Sequence, residues 1–174
     1  MAEIKIPEGV NVSIDSGVVI TKGSLGTNKR KINSTLLEVS KTDDKIIIIP
    51  IKSKILGAKA AMSENSFAKE LMNDMKGVTK HFEITMQTTH SHFPLVLEVK
   101  GDSLLIKNMI GERAPRSAKI AGGTKVEVKG QNVRVYGTSL DDVSQTAANI
   151  RKACKIVKKD ERVFQDGVYY ALEE

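Results

Sequence analysis

The chain opens in a period of two. Val10, Val12 and Ile14 fall on one side of an extended segment, with Asn11 and Ser13 on the other, the signature of a half-buried strand. Asp15-Ser16-Gly17 supplies turn chemistry and Val18 to Thr21 returns as a partner, so a hairpin is predicted. A second hairpin is predicted from Leu37 and Val39, the turn Thr42-Asp43-Asp44, and the isoleucine run Ile46 to Ile49, which reads as a strand covered on both faces. Beyond Pro50 the spacing becomes three and four. Ala58, Ala61, Met62, Ala68, Leu71, Met72 and Met75 make the apolar stripe of a helix, with Ser53 as its cap and Gly77 as its stop.

Alternation then resumes at Phe82, Ile84 and Met86, and at Leu95, Leu97 and Val99, where Gly101-Asp102 turns the chain into Leu104 to Ile106. Val126 and Val128 pair across Gly130-Gln131-Asn132 with Val133 and Val135. A last helix starts at the capping pair Ser139 and Asp142 and carries the stripe Val143, Ala147, Ile150, Cys154 and Val157. The two halves read as copies. One gapless offset lays Val10, Val12 and Ile14 on Leu95, Leu97 and Val99, Val19 on Leu104, Lys22 on Lys107 and Gly26 on Gly111. A second brings Leu37 and Val39 onto Val126 and Val128, and Ile47 and Ile49 are matched to Val133 and Val135. Each copy reads hairpin, basic loop, hairpin, helix. The expected fold is α+β: two duplicated domains, residues 1–79 and 80–174, each a small, mostly antiparallel sheet packed on one helix.

Composition narrows the function. Of 174 residues, 40% are apolar and 28% charged, enough for a real core. No apolar run approaches the roughly 20 residues of a membrane span, so no membrane partner is expected. Met1-Ala2-Glu3-Ile4-Lys5 has neither the basic head nor the apolar middle of an export signal. The single cysteine, Cys154, cannot form an internal disulfide.

Lysine and arginine total 27 against 21 acids, for a net charge of +6, and the cations cluster. Lys22, Lys29, Arg30 and Lys31 form one acid-free stretch, and Arg113, Arg116 and Lys119, around Pro115, form another. Arg151, Lys152, Lys155, Lys158, Lys159 and Arg162 form a third, diluted only by Asp160 and Glu161. Aromatics are only 4% of the chain, which favours recognition of a folded polyanion through its backbone over stacking along a single strand. The segment after Val157 is charged and aperiodic, and is predicted to order only against RNA.

Catalytic patterns are missing. His90 and His92 would share one side of a strand as a metal pair, but no carboxylate or cysteine at ligand spacing joins them. Gly122-Gly123-Thr124-Lys125 has the wrong order for a phosphate-binding P-loop. Asp43-Asp44 and Asp141-Asp142 are explained by a turn and a helix start. Gly23-Ser24-Leu25-Gly26 fits the Gly-x-x-Gly loop of a KH module, although it follows a strand where a KH loop joins helices. No cofactor and no enzymatic activity are expected. A free-standing KH-like RNA-binding regulator and a small metal enzyme using His90 and His92 remain as alternatives to a structural RNA-binding protein.

Longer motifs carry a resemblance. Ile6-Pro7-Glu8-Gly9-Val10 with Lys22-Gly23-Ser24-Leu25-Gly26, Met75-Lys76-Gly77-Val78-Thr79, His92-Phe93-Pro94, Asn108-Met109-Ile110-Gly111-Glu112-Arg113 and Gln145 to Arg151 occur in order along nearly the whole chain. They resemble the large-subunit ribosomal protein six family, called L-six in bacteria and L-nine in eukaryotes. The ending Lys159-Asp160-Glu161-Arg162-Val163-Phe164-Gln165-Asp166-Gly167-Val168-Tyr169 is similar to its archaeal-type branch. Ser24 stands where the family usually shows proline.

The resemblance implies a cytoplasmic, non-catalytic component of the large ribosomal subunit. It would bind ribosomal RNA near the stalk base and the sarcin-ricin loop, with stalk-base ribosomal proteins as neighbours and translation factors nearby. It also implies that the second domain makes the main RNA contact. The candidate RNA-binding residues are therefore Arg113, Arg116, Lys119, Arg151, Lys155, Lys158, Lys159 and Arg162, with Lys22, Lys29, Arg30 and Lys31 as a more peripheral set touching RNA or protein.

Overall fold

A computed structural model of the chain describes residues 2–42, 45–51, 57–90, 93–157, 159–160 and 162–171. The chain divides into two compact units, Met1–His81 and Phe82–Glu174. Unit 1 runs β1 (Ala2–Lys5), β2 (Asn11–Asp15), β3 (Val18–Lys22), β4 (Thr27–Lys31), β5 (Leu37–Thr42), β6 (Lys45–Pro50) and α1 (Gly57–Thr79). Its strands form two antiparallel sheets, β2-β3-β4 and β1-β6-β5. Unit 2 repeats this order with β7 (Phe82–Thr89), β8 (Val96–Lys100), β9 (Ser103–Lys107), β10 (Arg116–Lys119), β11 (Lys125–Lys129), β12 (Asn132–Gly137) and α2 (Leu140–Ala153), and adds β13 (Gly167–Tyr170). Its sheets are β10-β9-β8 and β11-β12-β7-β13. The duplicated sheet-plus-helix architecture is present in both halves.

Each unit has its own core. In unit 1, Val12, Val19, Ile46 and Ile48 meet Phe67, Leu71 and Met75 of α1. In unit 2, Met86, Leu104, Ile106, Val133 and Val135 meet Val143, Ala147 and Ile150 of α2. Each fully buried aliphatic side chain contributes about 1.5–3 kcal/mol relative to exposure.

The hairpins form where alternation predicts them, but several readings are corrected. The isoleucine run is covered on one face only: Ile46 and Ile48 are fully buried, whereas Ile49 is 40% exposed. It is therefore Ile46 and Ile48, and not Ile47 and Ile49, that occupy the places of Val133 and Val135, each set being the buried one in the strand that leads to its helix. In α1 the apolar stripe is rotated. Ala60, Phe67, Ala68, Leu71, Met75 and Val78 are buried, while Met62 and Met72 face solvent and Ala58 and Ala61 are exposed. Gly77 does not stop the helix; it lies buried within it, and the helix ends where the Thr79 hydroxyl donates back to the carbonyls of Met75 and Lys76 at 3.0 and 2.8 Å. The expected cap at Ser53 and turn at Asp43-Asp44 lie outside the described residues.

At the other helix, the expected cap is present: the Asp142 N–H donates to Ser139 Oγ at 3.3 Å. The helix ends at Ala153, so Val157 leaves the stripe and is 68% exposed, with Ile156 buried in its stead.

Both basic loops are partly strand. Thr27–Lys31 pairs along β3 and Arg116–Lys119 pairs along β9, because each preceding hairpin leaves an open edge that a polar segment can hydrogen-bond as well as an apolar one. Much of the C-terminal segment, read from the sequence as aperiodic, is built into unit 2. Phe164 packs against the core, Val168 is 1% exposed, and Gly167–Tyr170 pairs antiparallel with Thr89 to Met86 on the free edge of β7.

Candidate nucleic-acid interface

Strand β10 lies alongside α2, and side chains fasten the two together. Arg116 donates from Nη1 to the carbonyls of Ala153 and Lys155 at 3.0 and 2.9 Å, capping the end of α2. Asn149 Nδ2 donates to the Lys119 carbonyl at 2.9 Å, and the Ala121 N–H donates to Thr146 Oγ1, also at 2.9 Å. At Gly122 the backbone is left-handed (φ +55°) and a Cβ would push on the Asp142 carboxylate, so glycine is strongly favoured there. The Asn149 bond takes up a backbone carbonyl at the end of β10, while Arg116 takes up carbonyls at the end of α2, so strand and helix end are tied at both places.

Arg116 also grips Glu112 through two charge-assisted bonds, Nε to Oε2 at 2.8 Å and Nη2 to Oε1 at 2.6 Å. That fork holds the Glu112 carboxyl below its ordinary value of 4.5. Upstream, Asn108 (φ 62°) and Ile110 (φ 50°, ψ 35°) both adopt left-handed backbone. A β-branched residue there stores strain on the order of 1–3 kcal/mol. Buried Met109, the Asn108 Nδ2 bond to the Pro94 carbonyl at 3.1 Å and the Glu112 N–H bond to the Met109 carbonyl at 2.9 Å hold the loop in place. The loop delivers Arg113 to solvent, with Pro115 limiting the chain beyond it.

Where α2 ends, a cleft of about 480 Å³ opens between the helix and β13. Arg151, Lys152 and Lys155 line it on the helix side, and Tyr169 and Tyr170 on the strand side. The Arg151 guanidinium sits over the Tyr170 ring, 5.8 Å from its centroid, a cation–π distance. Three cations at a helix C-terminus are favoured by the partial negative charge there, and they give the cleft a positively charged wall. Cys154 at its base is 5% exposed, and burial pushes its thiol up, which keeps it neutral.

The remaining candidates are distributed more widely. Lys119 is exposed at the end of β10. Lys159 Nζ lies 4.7 Å from the centroid of the Phe164 ring. Arg162 holds Asp160 in a two-pronged pair and is 90% exposed. Lys158 lies outside the described residues. In unit 1, Lys22, Lys29 and Lys31 emerge on the outer face of β2-β3-β4, since they follow the alternation opposite Val19 and Thr21. Arg30 points the other way. Its guanidinium reaches Asp74 at 2.5 and 3.1 Å and Glu70 at 2.8 Å, both on α1. By register, Lys31 corresponds to Lys119 and Lys22 to Lys107, whereas Arg30 corresponds to Ala118.

The structure therefore brings Arg151 and Lys155 together, with Arg116 beneath them as the organiser. It adds Lys152, Tyr169 and Tyr170, which were not among the candidates. The β-prone run Gly167-Val168-Tyr169-Tyr170 is the sequence signal that could have found the tyrosines. On the outer face of the four-stranded sheet, charge is internally compensated: Arg134 forks Glu83 and lies over the Tyr136 ring, and Tyr136 donates to Glu127 at 2.7 Å.

Two alternatives meet a different geometry. The Gly23–Gly26 loop is packed on the end of α1, where the Leu25 N–H donates to the Val78 carbonyl at 3.0 Å and the Gly23 N–H to the Gly26 carbonyl at 2.9 Å. The Ser24 hydroxyl, in the proline position, donates to the Val78 carbonyl at 3.4 Å. Those N–H groups are taken, so the loop does not offer the backbone clamp of a KH module. Among the described residues no group of three or more His, Cys, Asp or Glu is placed to hold a metal ion, and His92 lies outside them.

The profile of the Ribosomal protein L6 family matches residues 93–167, from just ahead of β8 to the first residue of β13. Similar over nearly the whole chain are proteins named large ribosomal subunit protein uL6. That of Methanocella arvoryzae is 39% identical over 168 residues, covering 96% of this chain and 93% of the relative. That of Methanosarcina mazei is 40% identical over 166 residues, covering 95% and 93%. That of Methanobrevibacter smithii is 36% identical over 172 residues, covering 99% and 95%. With its duplicated sheet-and-helix units and this full-length similarity, the chain belongs to the Ribosomal protein L6 family.

Proposed function

We propose that the protein is a structural, non-catalytic component of the large ribosomal subunit in the cytoplasm, and that unit 2 binds ribosomal RNA through phosphates. The observation that carries this is the family membership together with three cations converging on one cleft at the end of α2. Arg151, Lys152 and Lys155 neutralise phosphates at the cleft, while Arg113 and Lys119 contact backbone further along the same unit. Each neutralised phosphate releases condensed counterions, so affinity falls steeply with salt. The preformed loop at 108–113 lowers the ordering cost of binding. Lys22, Lys29 and Lys31 supply a second, separate cationic face in unit 1. The finer placement, at the stalk base beside the sarcin-ricin loop, with ribosomal proteins there as neighbours and translation factors passing close by, belongs to the same reading.

Sedimentation tests it. Tagged protein is expected to travel with large subunits in a gradient, and the combined Arg151→Gln, Lys152→Gln, Lys155→Gln variant to remain at the top while folding normally. Sedimentation of wild type with free protein, or incorporation of the neutralised variant at wild-type level, would overturn the proposal.

A further inference from the structure

Phosphate contacts alone need no cavity, yet the cationic cluster of unit 2 surrounds one. The cleft between α2 and β13 has about 480 Å³, in the range that encloses a small organic ligand. Its two walls differ in chemistry. The helix wall carries the cations Arg151, Lys152 and Lys155; the strand wall carries Tyr170, on the same face of β13 as buried Val168 and 43% exposed. An exposed Tyr170 stands out in a chain with only three tyrosines, four phenylalanines and no tryptophan, where rings are needed for cores. The Arg151 guanidinium lies over the Tyr170 ring, so a planar cation and an aromatic face already meet at the cleft. Buried Ile156 contributes an apolar surface between the walls.

A regular RNA helix presents phosphates but no base that could enter such a space. An unpaired nucleotide presents both: a planar base for the ring and guanidinium surfaces, and a flanking phosphate for the lysines. We propose that this cleft seats a single extruded nucleotide of the RNA, its base stacked at Tyr170 and Arg151 and its phosphate on Lys152 and Lys155. This rests on the reading of unit 2 as an RNA-binding unit and adds the class of RNA element it selects. The cleft depends on the C-terminal segment, since β13 forms one of its walls. Arg116, through the Ala153 and Lys155 carbonyls, sets the other.

The test uses the full chain and two RNA hairpins of equal length, one fully paired and one carrying a single bulged 2-aminopurine. Wild type is expected to prefer the bulged hairpin by about tenfold and to quench the 2-aminopurine on binding. Tyr170→Ala is expected to lose both preference and quenching, with its thermal unfolding checked for an intact fold. Tyr170→Phe, which keeps the ring, is expected to retain both. Equal, salt-sensitive affinity of wild type for the two hairpins would overturn this inference and leave the RNA-binding reading standing. A preference that survives Tyr170→Ala overturns it too. Failure to bind either hairpin, with no sedimentation on large subunits, would remove both.

Discussion

At the scale of single residues, cations of the same type do different work. Arg113 and Arg116 are three positions apart in one basic cluster, yet Arg116 has its guanidinium in four hydrogen bonds within unit 2 and Arg113 stands in solvent. Arg113→Gln is therefore expected to leave unfolding unchanged and lower the salt slope of RNA binding by about one. Arg116→Gln is expected to cost about 2 kcal/mol of stability, read by denaturant titration, and to weaken RNA binding through the displaced end of α2. The same distinction holds in unit 1. Asp74 keeps only 4% of its side chain exposed against Arg30, so Arg30→Met strands a buried carboxylate and is expected to destabilise by about 3 kcal/mol. Joint replacement with Asp74→Leu should recover part of that loss. Charge patterning could locate these clusters but not separate their members. The partners that settle Arg30, Glu70 and Asp74, lie about forty positions away, and the carbonyls that hold Arg116 in place, of Ala153 and Lys155, are nearly as distant. A pH dependence follows from Glu112. Its folded-state pKa is depressed by Arg116, so the pair's contribution is complete above the ordinary value of 4.5 and fades as pH falls through the lower folded value. Glu112→Gln is expected to flatten the acid limb of the stability–pH curve.

Among the elements, the legible ones are those whose burial is apolar. The β2–β3, β5–β6, β8–β9 and β11–β12 hairpins and both helices follow from period and turn residues, since one face of each meets a hydrophobic core. Strand β4 was not legible because its inward residues, Asn28 and Arg30, are polar and face a helix whose buried side includes Glu64 and Asp74. Strand β10 has only four residues, with Arg116 and Ala118 its inward pair, and β13 exists because β7 extends an open edge to it. Removing residues 163–174 is accordingly expected to lower the unfolding midpoint of unit 2, because β7 loses its partner and the core loses Val168. A truncation with no effect on unfolding would contradict this. At the close contact between the Gly23 loop and α1, a Cβ on Gly23 would stand 2.7 Å from the Val78 carbonyl oxygen. Gly23→Ala is expected to cost about 1–3 kcal/mol in the same assay.

For the molecule as a whole, each unit carries its own hydrophobic core, and the cationic cleft lies in unit 2. Each core draws on residues of its own unit alone. Residues 82–174 are therefore expected to fold cooperatively by themselves and to retain the RNA affinity of unit 2, measured by calorimetry and filter binding. Residue order alone settled the α+β class, the duplication, both helices and the positions of the cationic clusters, because each is written in local period, turn chemistry and charge. Tertiary structure decided which cations reach solvent, which edges acquire an extra strand, and that a cleft walled by Arg151 and Tyr170 exists at all. Those features arise from contacts between distant segments, and a buried ion pair or an occupied strand edge leaves no periodic trace in either partner.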